Sequence, residues 1–557
     1  MITVRPKAWD REVDVVVLGT GGAAMSAAIL AADQGAEVLM LEKSSEIGGT
    51  TAFSGGVPWI PMNHYARELG IEDSKEEALT YLRRLTGGKE PDPGLLEVYV
   101  DNAHQMIQYL HDHTPLRFAV PRGYADYFAN LPGGKLEGRS LDPVPFSLNE
   151  LPEEWQDKIR RHPIFPPLTL AEGGAVDASQ VDYNIIAERM MANIVTMGRS
   201  LSASLFKGVL DRGIQVLLET PGKELIVNDE GEVIGVRAEQ NGENVYYGAR
   251  KGVVIATGGF EWNQELVKTF LKGNITHPMT PKYNEGDGLI MAMEVGAALG
   301  NMSEAWWSPT LVDPTIEYED LVYNQIASGR MSPNSIIVNS RAERFVNEGV
   351  AYNDMPRAMF TYDVVTQTWP NETAFMIFDS QLKDREMVLT MFPGEQIPDW
   401  VDHADSIHDL ALRIGLDPDA LEATIERFNA HAEQGSDPDF HRGTAYFESF
   451  LTGGGSPEKN IGPINKAPFF ALPVYSGSLG TSGGPRIDHN GQVQSLRGKA
   501  IGGLYSAGNA SMGVMGPTYA GAGGTIGPAL TFGYLAGRAV GKAPSRDISA
   551  TIKHEMA

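Results

Sequence analysis

Near the start of the chain, Gly19, Gly21 and Ala24 are spaced as GxGxxA directly after the apolar run Val13 to Leu18 (VDVVVL). Glu42 closes a second apolar run, AEVLMLE. In that spacing the first glycine permits a tight turn, the second lets backbone approach a diphosphate, and the small third residue packs a helix against a strand. Gly22 and Ala23 then open a helix whose positive end faces the diphosphate, while Glu42, with Lys43 beside it, is placed to accept hydrogen bonds from a ribose. The chemistry implied is dinucleotide binding. The chain has no cysteine, so thiol nucleophiles, thiolate metal sites and redox-active dithiols are excluded, and any redox chemistry belongs to a bound cofactor.

Such a site has to be positioned by a strand, a turn, a helix and a second strand in close succession, and the residues supply them. VDVVVL is a continuous β-branched run of the kind buried on both faces of a parallel sheet, and the alanine-rich stretch to Gly35 predicts a helix. After Glu42 comes KSSEIGGTTAFSGG, in which Gly49, Thr50 and Thr51 offer amide and hydroxyl donors to phosphate, and Ser54, Gly55 and Gly56 are suited to lie along an isoalloxazine ring. Ala256, Thr257 and Gly258 follow a buried strand in KGVVIATGGF, and Gly508 and Asn509 follow another in GGLYSAGN. Segments from both ends of the chain therefore meet one large cofactor. They resemble the returning strands of the two-dinucleotide-binding flavoprotein fold, which makes the expected cofactor FAD. No second GxGxxG follows a strand, so a dedicated NADPH site is not expected, and electrons should leave to a separate acceptor of quinone or dye type.

The 557 residues exceed the size at which a single core stops growing. The expected fold class is α/β: a Rossmann-like FAD-binding domain formed by residues 1–301 and 473–557, with an inserted α+β catalytic domain over 302–472. A net charge of −26 repels phosphate backbones, which excludes nucleic acid as a natural partner. Ala500 to Gly537 carries no charge, but eleven glycines, Pro517, Pro528 and Asn509 read as a buried cofactor surface rather than a membrane span. MITVRPKAWDREVD lacks the apolar core of a secretory signal, so the expected location is the cytoplasm, peripheral to the inner membrane if the substrate resides there. Pro143 to Ala175 is rich in proline and reads either as a long surface loop or as an apolar-tipped cover over a lipophilic substrate. Twelve histidines occur without HExxH or a histidine–carboxylate cluster of ligand spacing, so no metal is expected.

EIGGTTAFSGGVPWIP, IATGGF, SIIVNSRAERFVNEGVAY, GTSGG and GLYSAGNASMGVMGPTYAGAGGTIGPALTFGYLAG together resemble the 3-ketosteroid Δ1-dehydrogenases, flavoenzymes of the wider fumarate reductase and succinate dehydrogenase superfamily. The resemblance runs from Val13 to Val540. It implies oxidation of the C1–C2 bond beside a 3-keto group, with Tyr352 as the base at C2 and with the Tyr519 hydroxyl and the Gly523 N–H as donors to the C3 oxygen. A third tyrosine that supports the base is assigned to Tyr127, although the spacing of GYADYFANLPGG leaves Tyr124 open. Gly524, Thr525 and Ile526 join the cofactor contacts by the same resemblance. The chain reads YAGAG where the family commonly has YPGPG. No histidine stands in GGTTAFSGG, so the flavin is expected to be non-covalent. Three alternatives remain at this stage: a dehydrogenase of another cyclic ketone or ring position, a fumarate-type dicarboxylate reductase, for which Arg330 is the sole basic residue in SGRMSPN, and a flavin-binding electron carrier without catalysis.

Overall fold

The computed structural model describes residues 6–175, 182, 184–451 and 459–548. Its first strand, Arg11–Leu18, lies at the centre of an eight-stranded sheet. It pairs in parallel with Val38–Leu41 on one side and with Glu243–Ile255 on the other, and the latter pairs in parallel with Ala500–Ser506. Strands from both ends of the chain therefore share one sheet. The continuous apolar sequence of the first strand reflects full burial, with Val13 and Val15 to Val17 having no exposed surface.

The helix Gly22–Asp33 crosses this sheet and packs against Ile526–Lys542. Small residues make the crossing close: a Cβ on Gly533 would meet the Ala23 carbonyl oxygen at 2.4 Å, and one on Gly537 would meet that of Ala27 at 2.2 Å. The alanine and glycine content that reads as cofactor surface in the sequence thus serves partly to bring these two helices together. Their N-terminal ends lie on the same side, next to the turn after the first strand.

A second, antiparallel sheet of six strands has the order Leu321–Ile326, Ala305–Tyr318, Phe469–Thr481, Ala374–Asp379, Ser335–Asn339, with Asp402–Ala404 also paired to Phe469–Thr481. The helices Ile407–Ile414 and Pro418–Ala432 cover it. Residue 472, the expected end of the inserted segment, falls within Phe469–Thr481, whose C-terminal half pairs with Ala305–Tyr318. That strand ends against the cofactor side of the molecule, where the Thr481 hydroxyl accepts a hydrogen bond from the Phe260 N–H at 3.0 Å.

The Pro143 to Ala175 stretch is no ordinary surface loop. Leu148, Leu151 and Ile159 are buried, and the segment folds over the opening between the two sheets. Its 176–181 continuation lies outside the described residues. No helix among the described residues is long and apolar enough to cross a membrane.

Candidate active site

A cavity of about 410 Å³ lies between the two sheets, and its floor is almost entirely backbone. Gly19, Gly21, Gly22 and Ala23 line it from the first turn; Gly49, Thr50, Thr51, Ser54, Gly55 and Gly56 from the second cluster; Ala256, Thr257 and Gly258 from the third; and Gly508, Asn509, Thr525 and Ile526 from the C-terminal segment. Glu42 and Lys43 also face it. Two expected contacts do not. Ala24 is buried behind the floor in the core, where its small size lets the helix sit on the sheet, and Gly524 packs against the Tyr519 ring.

The floor fits an anionic dinucleotide. The two long helices that end there have no acidic residue in their first turns; Gly22 N–H donates to Thr51 Oγ1 at 3.0 Å and Gly527 N–H to the Gly523 carbonyl at 2.9 Å, which leaves the Ala23 and Ile526 N–H groups for phosphate oxygens. Gly19 needs its φ of +99°, and a Cβ there would meet the Ala256 carbonyl at 2.5 Å. Gly21, by contrast, has an ordinary φ and open space toward the cavity, which suits close approach of a ligand. Glu42 is held by the Thr20 hydroxyl at 2.5 Å and the Ser44 N–H at 2.9 Å, which fixes its carboxylate at the cavity edge. Lys43 is committed to Glu285 and Asp287, so its charge is already neutralised within the protein.

The opposite wall is built from side chains. Tyr127, Tyr352 and Tyr519 form one aromatic cluster with Trp306 and Phe447. Ring centroids are 5.3 Å apart for Tyr352 and Tyr519, 5.6 Å for Tyr127 and Tyr352, and 5.9 Å for Tyr127 and Tyr519. Tyr352 lies close enough to Tyr519 and Tyr127, and Tyr127 to Tyr124, for each phenol to bear on the ionisation of the other. Tyr352, Tyr519, Gly523 and Tyr124 face the cavity, whereas Tyr127 stands behind Tyr352. Of the two tyrosines of GYADYFANLPGG, Tyr127 belongs to the cluster and touches Tyr352, while Tyr124 lines the cavity outside it.

Each of these residues is fixed by a separate network. The carbonyl of Ala520 accepts from the Tyr81 hydroxyl at 2.6 Å and from the Tyr127 N–H at 3.2 Å, and that of Ala522 accepts from Ser140 at 2.9 Å. Because these positions act through their carbonyls, alanine does there what proline would. Gly523, at φ +95°, lies so close to the Val57 carbonyl that a Cβ would meet it at 2.3 Å, and no larger residue fits. Tyr127 follows Asp126, a buried carboxylate that binds Trp59 at 2.7 Å and Arg139 at 2.8 Å. The loop bearing Tyr352 is anchored by Glu348, which pairs with Arg344 and Arg442 at zero exposure. Burial works to raise the Glu348 carboxyl, but the two guanidinium groups hold it below its usual range.

Burial pushes the Tyr352 phenol well above its ordinary value, and the charges that Tyr127 and Tyr519 would carry add to the effect. Tyr519 is raised less clearly, because burial is countered by hydrogen bonds from Thr525 and Tyr352 and from the Gly523 N–H. Tyr519 and Gly523 both line the cavity, where a hydroxyl and an N–H can be offered to one ligand oxygen.

The remaining lining is apolar, and the sequence alone does not reveal most of it. Phe53, Phe165, Leu170, Met279, Ile326 and Leu479 contribute side chains, together with Arg160 and His162 from the cover. Arg160 is paired with Glu46 and Glu319. His162 is stacked on Phe165 at 3.5 Å, and its desolvation lowers it to about 3, so it is neutral. The proline-rich character of Pro143 to Ala175 leaves a surface loop and a cover both open and does not single out these residues. Far from the cavity, the fold brings His408, Asp419 and Glu422 within 4.8 Å on two adjacent helices, a cluster that sequence spacing does not reveal; it is largely exposed.

A glycine-lined dinucleotide floor facing a wall of buried phenols defines a flavin-dependent oxidoreductase. The FAD binding domain family matches residues 14–526. A 3-oxosteroid 1-dehydrogenase from Mycolicibacterium smegmatis is 37% identical over 94% of this chain and 96% of its own length. A 4-oxocyclohexanecarboxylate 2-dehydrogenase from Sinomonas cyclohexanicum is 36% identical over 96% and 94% respectively. Among solved structures, the 3-ketosteroid Δ1-dehydrogenase of Sterolibacterium denitrificans in complex with 1,4-androstadiene-3,17-dione superposes with a TM-score of 0.88 at 31% identity, covering 95% of this chain and 99% of that one. The chain belongs to the FAD binding domain family and, within it, to the 3-ketosteroid Δ1-dehydrogenases.

Proposed function

We propose that the protein is an FAD-dependent 3-ketosteroid Δ1-dehydrogenase that introduces a C1–C2 double bond into the A ring of a 3-keto steroid. The observation that carries this reading is the convergence of Tyr352 with the distant Tyr519–Gly523 segment on one side of a cavity whose other side is the dinucleotide floor. The Tyr519 hydroxyl and the Gly523 N–H hold the 3-keto oxygen and stabilise the charge it gains as an enolate, an effect of roughly 3 to 4 kcal/mol per donor in a dry site. Tyr352 removes the C2 proton. Tyr127 donates to the Tyr352 oxygen as it becomes anionic. The glycine clusters would hold FAD without a covalent link, and the flavin would supply the acceptor for the C1 hydride, with a quinone-type compound as the separate electron acceptor.

A second reading, a small cyclic ketone bearing a carboxylate, is favoured by the similarity to the Sinomonas enzyme. The cavity argues against it. Among the described residues its basic lining is Lys43, Arg160 and His162, of which the first two are neutralised by acidic partners and the third is uncharged. A carboxylate, and still more a dicarboxylate, would meet no unpaired cation there. A neutral lipophilic ring system suits the lining better. Anaerobic mixing of the FAD-loaded protein with androst-4-ene-3,17-dione is expected to bleach the flavin and yield a product two hydrogens lighter, while 4-oxocyclohexanecarboxylate leaves the flavin oxidised. Bleaching by the carboxylate alone, or by neither compound, overturns the assignment.

A further inference from the structure

Behind the tyrosine wall lies a charge that the proposed chemistry has not used. Arg330 is 3% exposed and donates through Nη1 to the Glu348 carbonyl oxygen, while its Nε is buried with no hydrogen-bond partner. Among the described residues no carboxylate comes within ion-pair distance of it. The nearby acids are engaged elsewhere: Glu348 with Arg344 and Arg442, Asp437 with Arg344, and Glu448 with Asn347 and the Gly443 N–H. The next residue, Met331, packs into the Tyr127, Tyr352 and Tyr519 cluster, and Arg330 and Tyr127 are close enough for each charge to be felt by the other.

A buried guanidinium without an anionic partner is costly to keep, and removing its charge is harder still. The cost is offset whenever an anion forms beside it. At rest the neighbouring phenols are neutral, but a proton taken up from substrate through a Tyr352 phenolate requires a negative charge on Tyr352, whose ring lies 5.6 Å from that of Tyr127. We propose that Arg330 is a positioning residue whose buried charge stabilises the phenolate shared by Tyr352 and Tyr127 and so makes Tyr352 a usable base. The inference rests on the proposed role of Tyr352.

The surroundings are consistent in sign. Tyr127 is faced by Tyr124 and Tyr519, which oppose its ionisation, and by Arg330, which favours it, while Tyr352 is faced by Tyr127 and Tyr519, which oppose its ionisation. Arg330 in turn faces Arg442, which opposes its charge, and Tyr127, Glu448 and Glu348, which favour it. Burial and Arg442 bring Arg330 down to about 10, which still leaves it protonated at neutral pH.

The test compares FAD-loaded wild type, Arg330→Lys and Arg330→Met. Flavin reduction by androst-4-ene-3,17-dione is followed in anaerobic single turnovers across pH, and phenol ionisation is followed separately by ultraviolet titration, with Tyr352→Phe subtracted. If Tyr352 must be ionised, the rate rises with pH. Arg330→Met is expected to move that limb at least about one pH unit upward, which is about tenfold in rate below it. Arg330→Lys lies between, and half-saturating steroid changes less than about twofold. The ultraviolet titration should shift in parallel. A uniform loss of rate with an unmoved limb, or an unmoved phenol titration, overturns the inference. Should Arg330→Met fail to fold, the comparison of Arg330→Lys with wild type decides it. If steroid fails to reduce the wild-type flavin, the proposed function falls, while the titration still judges Arg330 on its own.

Discussion

The floor and the wall of the cavity are built on opposite principles. The floor consists of glycines and alanines whose backbone N–H groups and close approaches do the binding, and its pieces are ordered within short stretches after strands. The wall consists of large side chains, Tyr127, Tyr352 and Tyr519, each brought in by a different loop and fixed by buried ion pairs or carbonyl oxygens. A backbone site tolerates no added bulk but asks little of its neighbours. A side-chain site depends on supports far away in sequence. Changes in the floor should therefore abolish cofactor retention and leave the fold intact, whereas changes in the wall should leave the cofactor and alter the chemistry.

Gly21→Val probes the floor and should have the largest effect. A Cβ there lies 3.7 Å from Thr51 Oγ1, an ordinary contact, so the protein folds, but the branched side chain occupies the diphosphate approach. The expected product is colourless, with unchanged circular dichroism and no turnover. A yellow Gly21→Val protein would break the contrast. Tyr519→Phe probes the wall. It should keep a full complement of FAD and lose roughly a hundredfold to a thousandfold in the rate of flavin reduction, the usual cost of one oxyanion donor. Loss of FAD in this variant would show that floor and wall are not separable.

His162→Gln sharpens the contrast at the rim, with the smallest effect. His162 lies lower in the folded protein, at about 3, than its ordinary 6.5, so its contribution to stability is full above pH 6.5 and is lost progressively as pH falls toward 3. Removing it should reduce the acid destabilisation between pH 6.5 and 5 by about 1.5 kcal/mol, read as a smaller drop in Tm. An identical pH profile for both proteins would mean that the ring is not desolvated by Phe165 and the cover.

The same contrast explains what is legible in the sequence. The floor is legible because GxGxxA, its flanking strands and Glu42 are local, and the periodicity that marks them is set by the sheet itself. SIIVN and FMIFD are legible as strands for the same reason, and they lie at Ser335–Asn339 and Ala374–Asp379. Tyr352 and Tyr519 are found through family resemblance alone, since nothing in the spacing of nineteen tyrosines singles them out. Trp306 and Phe447, which complete the cluster, give no signal, because their placement depends on how the second sheet meets the first. Ala24 and Gly524 belong to the right motifs and so read as cofactor contacts, yet their small size serves helix packing and the Tyr519 ring.

The most direct test of the account is Tyr352→Phe, which removes one oxygen from the wall and leaves the floor untouched. In FAD-loaded protein, anaerobic single-turnover reduction by androst-4-ene-3,17-dione is predicted to slow by roughly a thousandfold, as loss of a general base requires, with FAD content and steroid binding unchanged. Reduction at the wild-type rate would contradict the claim that this phenol takes the proton.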